Sequence, residues 1–277
     1  MPPTDSAASH YDRVTRAWTL LLGDDLHYGY FSSPEEPLAQ ATASLTRLMA
    51  ERAEMRAGLD VLDVGCGTGH PACELATTYA SRVTGISTSV ECIAYAIQRA
   101  AARGVAARTR FLQADAMDNG LPSAGFDRAW VMESSHLMDR KEAMVAECAR
   151  VLRPGGVLAL CDVIRRDELP LPYVLAHARQ FNTLRVAFGR AKMESLERYA
   201  GWLRGAGLTV DRSEDISAET RPTFDRWRRN AHAHRAEVEA LIGGDGWTQF
   251  AESCDYLEQF WDARKLGYGL LVARKPC

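Results

Sequence analysis

Apolar residues along this chain follow two alternating rhythms. Short apolar runs rich in β-branched residues, at 59–64, 83–86, 109–112, 126–132 and 157–161, predict strands. Between several of them apolar positions return every three or four residues, over 72–79, 90–103 and 140–152, which predicts amphipathic helices. Punctuation residues agree. Pro71 opens one helix, where its missing N–H costs nothing. Ser87 or Ser89 is placed to cap the next, which stops at Gly104. Arg153-Pro-Gly-Gly156 turns a third into a strand. Five strand–helix units in this order predict a parallel α/β sheet.

After Asp162 the rhythm changes. Residues 165–192 are polar and then helical over 173–186. A helix over 194–204 carries the stripe Leu196, Tyr199, Leu203, and a sixth strand follows at 208–216. Residues 224–261 are mostly helical around Gly243-Gly-Asp-Gly246, and 266–273 is a seventh strand. Ahead of the first strand, helical patterns over 11–22 and 37–55 flank an aromatic, Gly-rich segment at 23–31. These elements either pack plainly on the sheet or form a lid, with Tyr11, Trp18, His27, Tyr28 and Tyr30 facing a ligand. The aromatic, non-strand character of the segment favours the lid. The expectation is a single domain over 1–277: a lid at 1–55, a ligand-binding core at 56–164, and cap insertions at 165–192 and 219–262. Residues 193–218 and 263–277 would complete a seven-stranded, mostly parallel sheet.

The chemistry centres on Val61-Leu-Asp-Val-Gly-Cys-Gly-Thr-Gly-His70, a strand, a tight glycine loop and the start of a helix. A dinucleotide fingerprint needs G-x-G-x-x-G and an acid about 20 residues on. Here the third glycine is one place early, His70 stands where it belongs, and the second strand runs into Ser87-Thr-Ser89 with no acid. A pyrophosphate reader is disfavoured. Asp63 followed by G-x-G-x-G resembles motif I of the class I S-adenosylmethionine (SAM)-dependent methyltransferases. SAM has no phosphate, and its ammonium suits a carboxylate beside the loop. The plain alternative is a Gly-rich turn with a structural acid.

Further stretches resemble the small-molecule branch of that family, from about residue 11 to 275. They are Leu26-His-Tyr-Gly-Tyr-Phe31, Thr84-Gly-Ile-Ser-Thr-Ser89, Gln113-Ala-Asp-Ala116, Met132-Glu-Ser-Ser-His136, Val151-Leu-Arg-Pro-Gly-Gly156, Asp215-Ile-Ser217 and Gly267-Tyr-Gly-Leu-Leu-Val-Ala-Arg-Lys275. The branch contains the rebeccamycin sugar 4′-O-methyltransferase and the tocopherol and sarcosine/glycine methyltransferases, and the chain is similar to actinobacterial natural-product tailoring enzymes. The resemblance implies a Rossmann-like class I fold and SAM contacts at Gly65, Gly67, Ser87, Asp115 and Ala116, with Asp115 at the adenine. By position, Asp63, Cys66, Gln113 and Glu133 join them, with Tyr11 and Tyr28 from the lid. It further implies His136 or Asp162 as a base. Leu137 stands where a second histidine is common, and Cys92 where a ribose-contacting glutamine often sits.

Composition narrows the function classes. A net charge of −3 offers no basic footprint, so a nucleic-acid partner is not expected. Arg226, Arg228 and Arg229 read as a solvated helix face. The seven cysteines show no metal spacing and read as reduced thiols, which with the polar N-terminus points to the cytoplasm. No metal and no membrane span are expected, and a homo-oligomer is left open. The expected activity is SAM-dependent methyl transfer to a bulky secondary metabolite at O, N or C. The alternatives are C-methylation of an isoprenoid or polyketide coupled to cyclisation, a methyltransferase-fold cyclase that keeps SAM only structurally, and a non-catalytic SAM-binding subunit.

Overall fold

The computed structural model describes residues 7–277, with the side chains of 10 and 14–277. Its strands are β1 Asp60–Val64, β2 Arg82–Ser87, β3 Thr109–Gln113, β4 Phe126–Met132, β5 Leu152–Arg165, β6 Thr209–Asp215 and β7 Leu266–Arg274. They form one sheet in the order β3-β2-β1-β4-β5-β7-β6. β1 to β5 pair in parallel, while β7 lies antiparallel between β5 and β6. The order reverses between β1 and β4, and such switch points open a crevice beyond the strand ends.

Period-two alternation assigns the strand residues to two layers. Val61, Val157, Ala159, Cys161, Tyr268 and Leu270 face one core. Leu62, Val64, Leu158, Leu160, Leu271 and Ala273 face the other. The first layer is built by α1 Ala7–Leu21, α2 Leu38–Arg52, α3 His70–Thr78 and α4 Val90–Ala102, and by the helices after β5 other than the one at 196–205. The second is built mainly by α5 Lys141–Val151 and, further along the chain, by the helix at 196–205. After β5 come α6 Leu171–Ala176, α7 Ala178–Phe188 and α8 Leu196–Gly205. After β6 come α9 Ser217–Thr220, α10 Thr223–Ala233 and α11 Arg235–Asp262. α7 and α10 pack on α11, and α11 packs on α1, so the N-terminal helix and both late insertions form one helical layer.

Several local expectations hold. Ser89 caps α4, its Oγ accepting from the Cys92 N–H at 3.0 Å, and Gly104 follows with φ +69°. Pro71 sits in the first turn of α3. α11 bends where Gly243 takes φ 79°. Others change. No helix joins β3 to β4, so the strand–helix alternation is not complete. β5 takes in the turn at 153–156 and runs on to Arg165, because β7 pairs with it down to Arg165↔Leu266. Asp162 is therefore inside β5, not at its end. The arginines of α10 stay at the surface as expected and are ion-paired there: Arg228 meets Asp255 and Glu258, and Arg229 meets Asp225.

Candidate active site

β1 delivers Asp63 to the mouth of the crevice, on the same strand face as Val61. Its side chain is 2% exposed, and Oδ2 finds no hydrogen-bond partner among the described residues. Burial pushes the carboxyl up to about 7. An unpaired buried carboxyl is costly, and a bound cation offsets that cost. The loop that follows is shaped by two glycines. Gly65, at φ +78°, passes so close to Ser134 that a Cβ would lie 2.2 Å from that side chain. Gly67, at φ +50°, has open space where its Cβ would be. Cys66 is buried in the core, and its N–H is already given to the Ile86 carbonyl, so it forms a wall of the loop.

Along the sheet edge, Ser87 and Gln113 are register partners. The Ser87 Oγ accepts from the Ser89 N–H at 3.2 Å, and the Gln113 amide donates to the Thr88 carbonyl at 3.2 Å. Asp115 is exposed and uses Oδ1 to accept from the Met117 N–H at 2.8 Å; Ala116 beside it is buried. Together these groups make an open shelf from the glycine loop to the end of β3. The orphaned Asp63 oxygen, the empty space at Gly67 and the acidic end of the shelf fit SAM.

β4 ends in a turn in which Glu133 takes φ 47°. Its Oε1 accepts from the Tyr28 N–H at 2.7 Å and from the Tyr268 hydroxyl at 2.6 Å. Burial raises the Glu133 carboxyl to about 8, against the lowering effect of those two bonds. The N-terminal segment is thus tied to the end of β4. Tyr28 itself stacks on Trp261, with ring centroids 5.6 Å apart, and meets Trp227 edge-on at 4.7 Å. Next to Glu133 lies a cavity of about 110 Å³ lined mainly by apolar side chains, among them Trp18, Tyr28, Phe188 and Trp227. His136 and Glu133 supply polar groups at its wall.

His136 follows β4 in a short 3₁₀ turn, Ser135–Leu137. Its Nδ1 lies 2.6 Å from Asp162 Oδ1, and its backbone N–H donates to Oδ2 at 3.0 Å. Asp162 is fully buried. Burial pushes its carboxyl up, but the His136 charge and the hydrogen bonds from His136 and Ser135 outweigh this and hold it below the ordinary carboxylate range. Asp162 shares the strand face of Leu158 and Leu160, away from the cavity, and its side chain is taken up by His136 and Ser135.

The structure redistributes the lid residues. Trp18 and Tyr28 line the cavity. His27 does not face a ligand: it is buried, with Nδ1 on the Tyr28 carbonyl at 2.8 Å and Nε2 near the Thr46 hydroxyl at 3.3 Å. Tyr30 packs at the core edge, its N–H given to the Ala41 carbonyl. The side chain of Tyr11 lies outside the described residues. The sequence pattern passed over Asp25, which is 6% exposed and ion-pairs with His70 at the start of α3. Burial raises its carboxyl, but His27 and His70 outweigh this and hold it low. Tyr268 and Ser135 were also passed over, for want of any local signal. Among the described residues no cluster could hold a metal ion, and no helix is long and apolar enough to cross a membrane.

Comparison with known proteins shows the family. A methyltransferase-domain family matches residues 61–156, which run from β1 through the turn into β5. Over 99% of its length the chain is 36% identical to the 27-O-demethylrifamycin SV methyltransferase of Amycolatopsis mediterranei, covering 98% of that protein. It is 35% identical to the methyltransferase GfsG of Streptomyces halstedii, over 96% of this chain and 93% of the relative. The solved structure of the [4+2]-cyclase SpnF superposes with a TM-score of 0.84 at 31% identity, covering 99% of this chain and 98% of that one. With SAM as its cofactor, the chain belongs to the class I SAM-dependent methyltransferases, among the natural-product enzymes of that family.

Proposed function

We propose that the protein methylates a hydroxyl group of a bulky, largely apolar natural product, with His136 as the base. The observation that carries this reading is the His136–Asp162 pair at the cavity wall. Methyl transfer to an alkene carbon or to a free amine needs no such base before attack, whereas a hydroxyl must lose its proton. SAM supplies a sulfonium methyl whose leaving group is a neutral thioether, so no acid is required. Asp63 would hold the ammonium of the cofactor, and Gly65 and Gly67 would let the loop approach it. Ser87, Gln113, Asp115 and Ala116 would flank its nucleoside end, with Asp115 accepting from the adenine amino group. Asp162 keeps the proton on Nδ1 of His136, so Nε2 is the acceptor site for the hydroxyl proton. Trp18, Tyr28, Phe188 and Trp227 give the acceptor a dry wall and align it, and alignment is worth up to about 7–11 kcal/mol in well-ordered sites. The relative named as a 27-O-demethylrifamycin SV methyltransferase, at 36% identity, supports a hydroxyl acceptor. Residues 165–192 and 219–262 would act as the substrate cap.

The test is turnover on hydroxylated, largely apolar acceptors, 27-O-demethylrifamycin SV among them, read as S-adenosylhomocysteine formed and a methylated product. His136→Ala should lower kcat by about 10²-fold or more with SAM affinity kept, the usual scale for a general base. The similarity to SpnF favours one second reading, a cyclase that holds SAM as a structural ligand. Conversion of a polyene to a cyclised isomer with no S-adenosylhomocysteine formed would establish it and remove the first.

A further inference from the structure

The support of His136 does not end at Asp162. The Ser135 Oγ lies 2.5 Å from Asp162 Oδ2 and 2.7 Å from the hydroxyl of Tyr199. Tyr199 comes from α8, in the layer on the far side of the sheet from the cavity, and is fully buried. We infer that Tyr199 and Ser135 are positioning residues for the reaction, a hydrogen-bonded chain that fixes Asp162 and through it the nitrogen that His136 presents to the acceptor. The inference rests on the reading of His136 as the base.

The direction of every proton follows from the acceptor count. An ionised carboxylate only accepts, and it has about four lone-pair sites. At Asp162 all are used. Oδ1 takes the Val163 N–H at 2.7 Å and the His136 Nδ1–H at 2.6 Å. Oδ2 takes the His136 N–H at 3.0 Å and the Ser135 O–H at 2.5 Å. Since Ser135 spends its one proton on Asp162, its oxygen can only accept from Tyr199. Tyr199 keeps its proton to give, because burial and the Asp162 charge both raise its phenol well above the usual value. The chain therefore reads Tyr199 to Ser135 to Asp162, met from the other side by His136. With no acceptor position left, the carboxylate cannot rotate without breaking several bonds, and its four donors stabilise the anion, so the proton stays on Nδ1.

Packing does not require the phenol oxygen, since phenylalanine fills nearly the same space. A buried hydroxyl is retained at a cost unless it is paired, and here Ser135 is its partner. In such chains each bond polarises the next, so the phenol strengthens the Ser135 donation. Ser135→Ala removes a donor at Oδ2, and Tyr199→Phe weakens the same donor. Either change concentrates carboxylate charge at Oδ1 and tightens its bond to Nδ1–H, while loosening the hold on the carboxylate plane.

Two readouts test this. In protein labelled with ¹⁵N-histidine, the Nδ1–H resonance of His136 is identified by its loss in His136→Gln. It should move downfield in Tyr199→Phe and further in Ser135→Ala. Turnover should fall about threefold and about tenfold respectively, with the KM for SAM unchanged, as expected when a base loses its aim. A resonance that stays in place in Tyr199→Phe, with wild-type kcat and only a lower Tm, would overturn the inference and make the phenol structural. If Ser135→Ala does not fold, the near-isosteric Tyr199→Phe decides alone. Wild-type turnover in His136→Gln would instead remove the base assignment, and the resonance shifts would still report whether the chain controls the ring.

Discussion

Asp63→Asn tests the cofactor site through protons. The carboxyl is buried, and its value of about 7 leaves it half protonated near neutrality in the ligand-free protein. An ammonium seated beside it requires the anion, so binding expels a proton wherever the pH lies below that value. Apparent Kd then scales as 1 + 10^(pKa − pH), a factor of about 11 at pH 6 and about 2 at pH 7, so affinity improves about fivefold over that unit. The cofactor's own α-amino group, with a reference value of about 8, stays mostly cationic across the same range. Isothermal titration calorimetry in two buffers of different ionisation enthalpy reads both quantities, and release of about 0.9 proton is expected at pH 6. Asp63→Asn should bind weakly at pH 7 and show neither the pH dependence nor the proton. Wild-type binding that is flat between pH 6 and 7, with no proton released, refutes the pairing. The same group sets a stability trend. Its folded value lies above the unfolded value of about 3.9, so its stabilising contribution is whole below that pH and is lost as the pH rises through about 7, by ~4 kcal/mol at full ionisation. Ligand-free Asp63→Asn should accordingly melt above the wild type at pH 8 and not at pH 4, and saturating SAM should close the gap.

Gly67→Ala places a methyl in the open space beside the loop, so SAM affinity should fall more than about tenfold while the strain of a positive φ costs about 1–2 kcal/mol. Unchanged affinity by calorimetry would move the cofactor off the loop. Glu133→Gln keeps an acceptor for the Tyr28 N–H and the Tyr268 hydroxyl but removes a carboxyl raised to about 8, so its Tm should gain on the wild type progressively from the unfolded value of about 4.3 and level off above about 8; parallel melting curves from pH 5 to 9 would contradict the shift. Leu62→Ala, at a fully buried position of β1, should cost about 2–5 kcal/mol in urea unfolding. With six cysteines buried and Cys277 exposed, Ellman's reagent should titrate one thiol in the native protein and seven in denaturant; more than one fast native thiol would show that the core opens.

Whatever depends on neighbours along the chain was legible in the sequence. Strand and helix periods, the Ser89 cap and the Gly104 stop are local, so β4 appears at the residues its pattern predicts and α4 within a residue of its own. The glycine loop was legible for the same reason: Asp63, Gly65 and Gly67 lie within five residues of backbone, and the shape of that backbone is set by their own φ angles. Position at strand ends, a consequence of parallel topology, was enough to single out Asp115, Glu133 and His136. Tertiary structure alone decided the rest. β7 enters between β5 and β6, and only that pairing carries β5 past Asp162. Tyr28 reaches Glu133 across 105 residues, and Tyr268 reaches it across 135. Tyr199 meets Ser135 across 64 residues, although in the sequence it is one more position in an apolar helical stripe. Such partners leave no periodic trace. They are selected by how the two layers pack and by the requirement that each buried polar group find a partner, and that requirement is met only once the chain has folded.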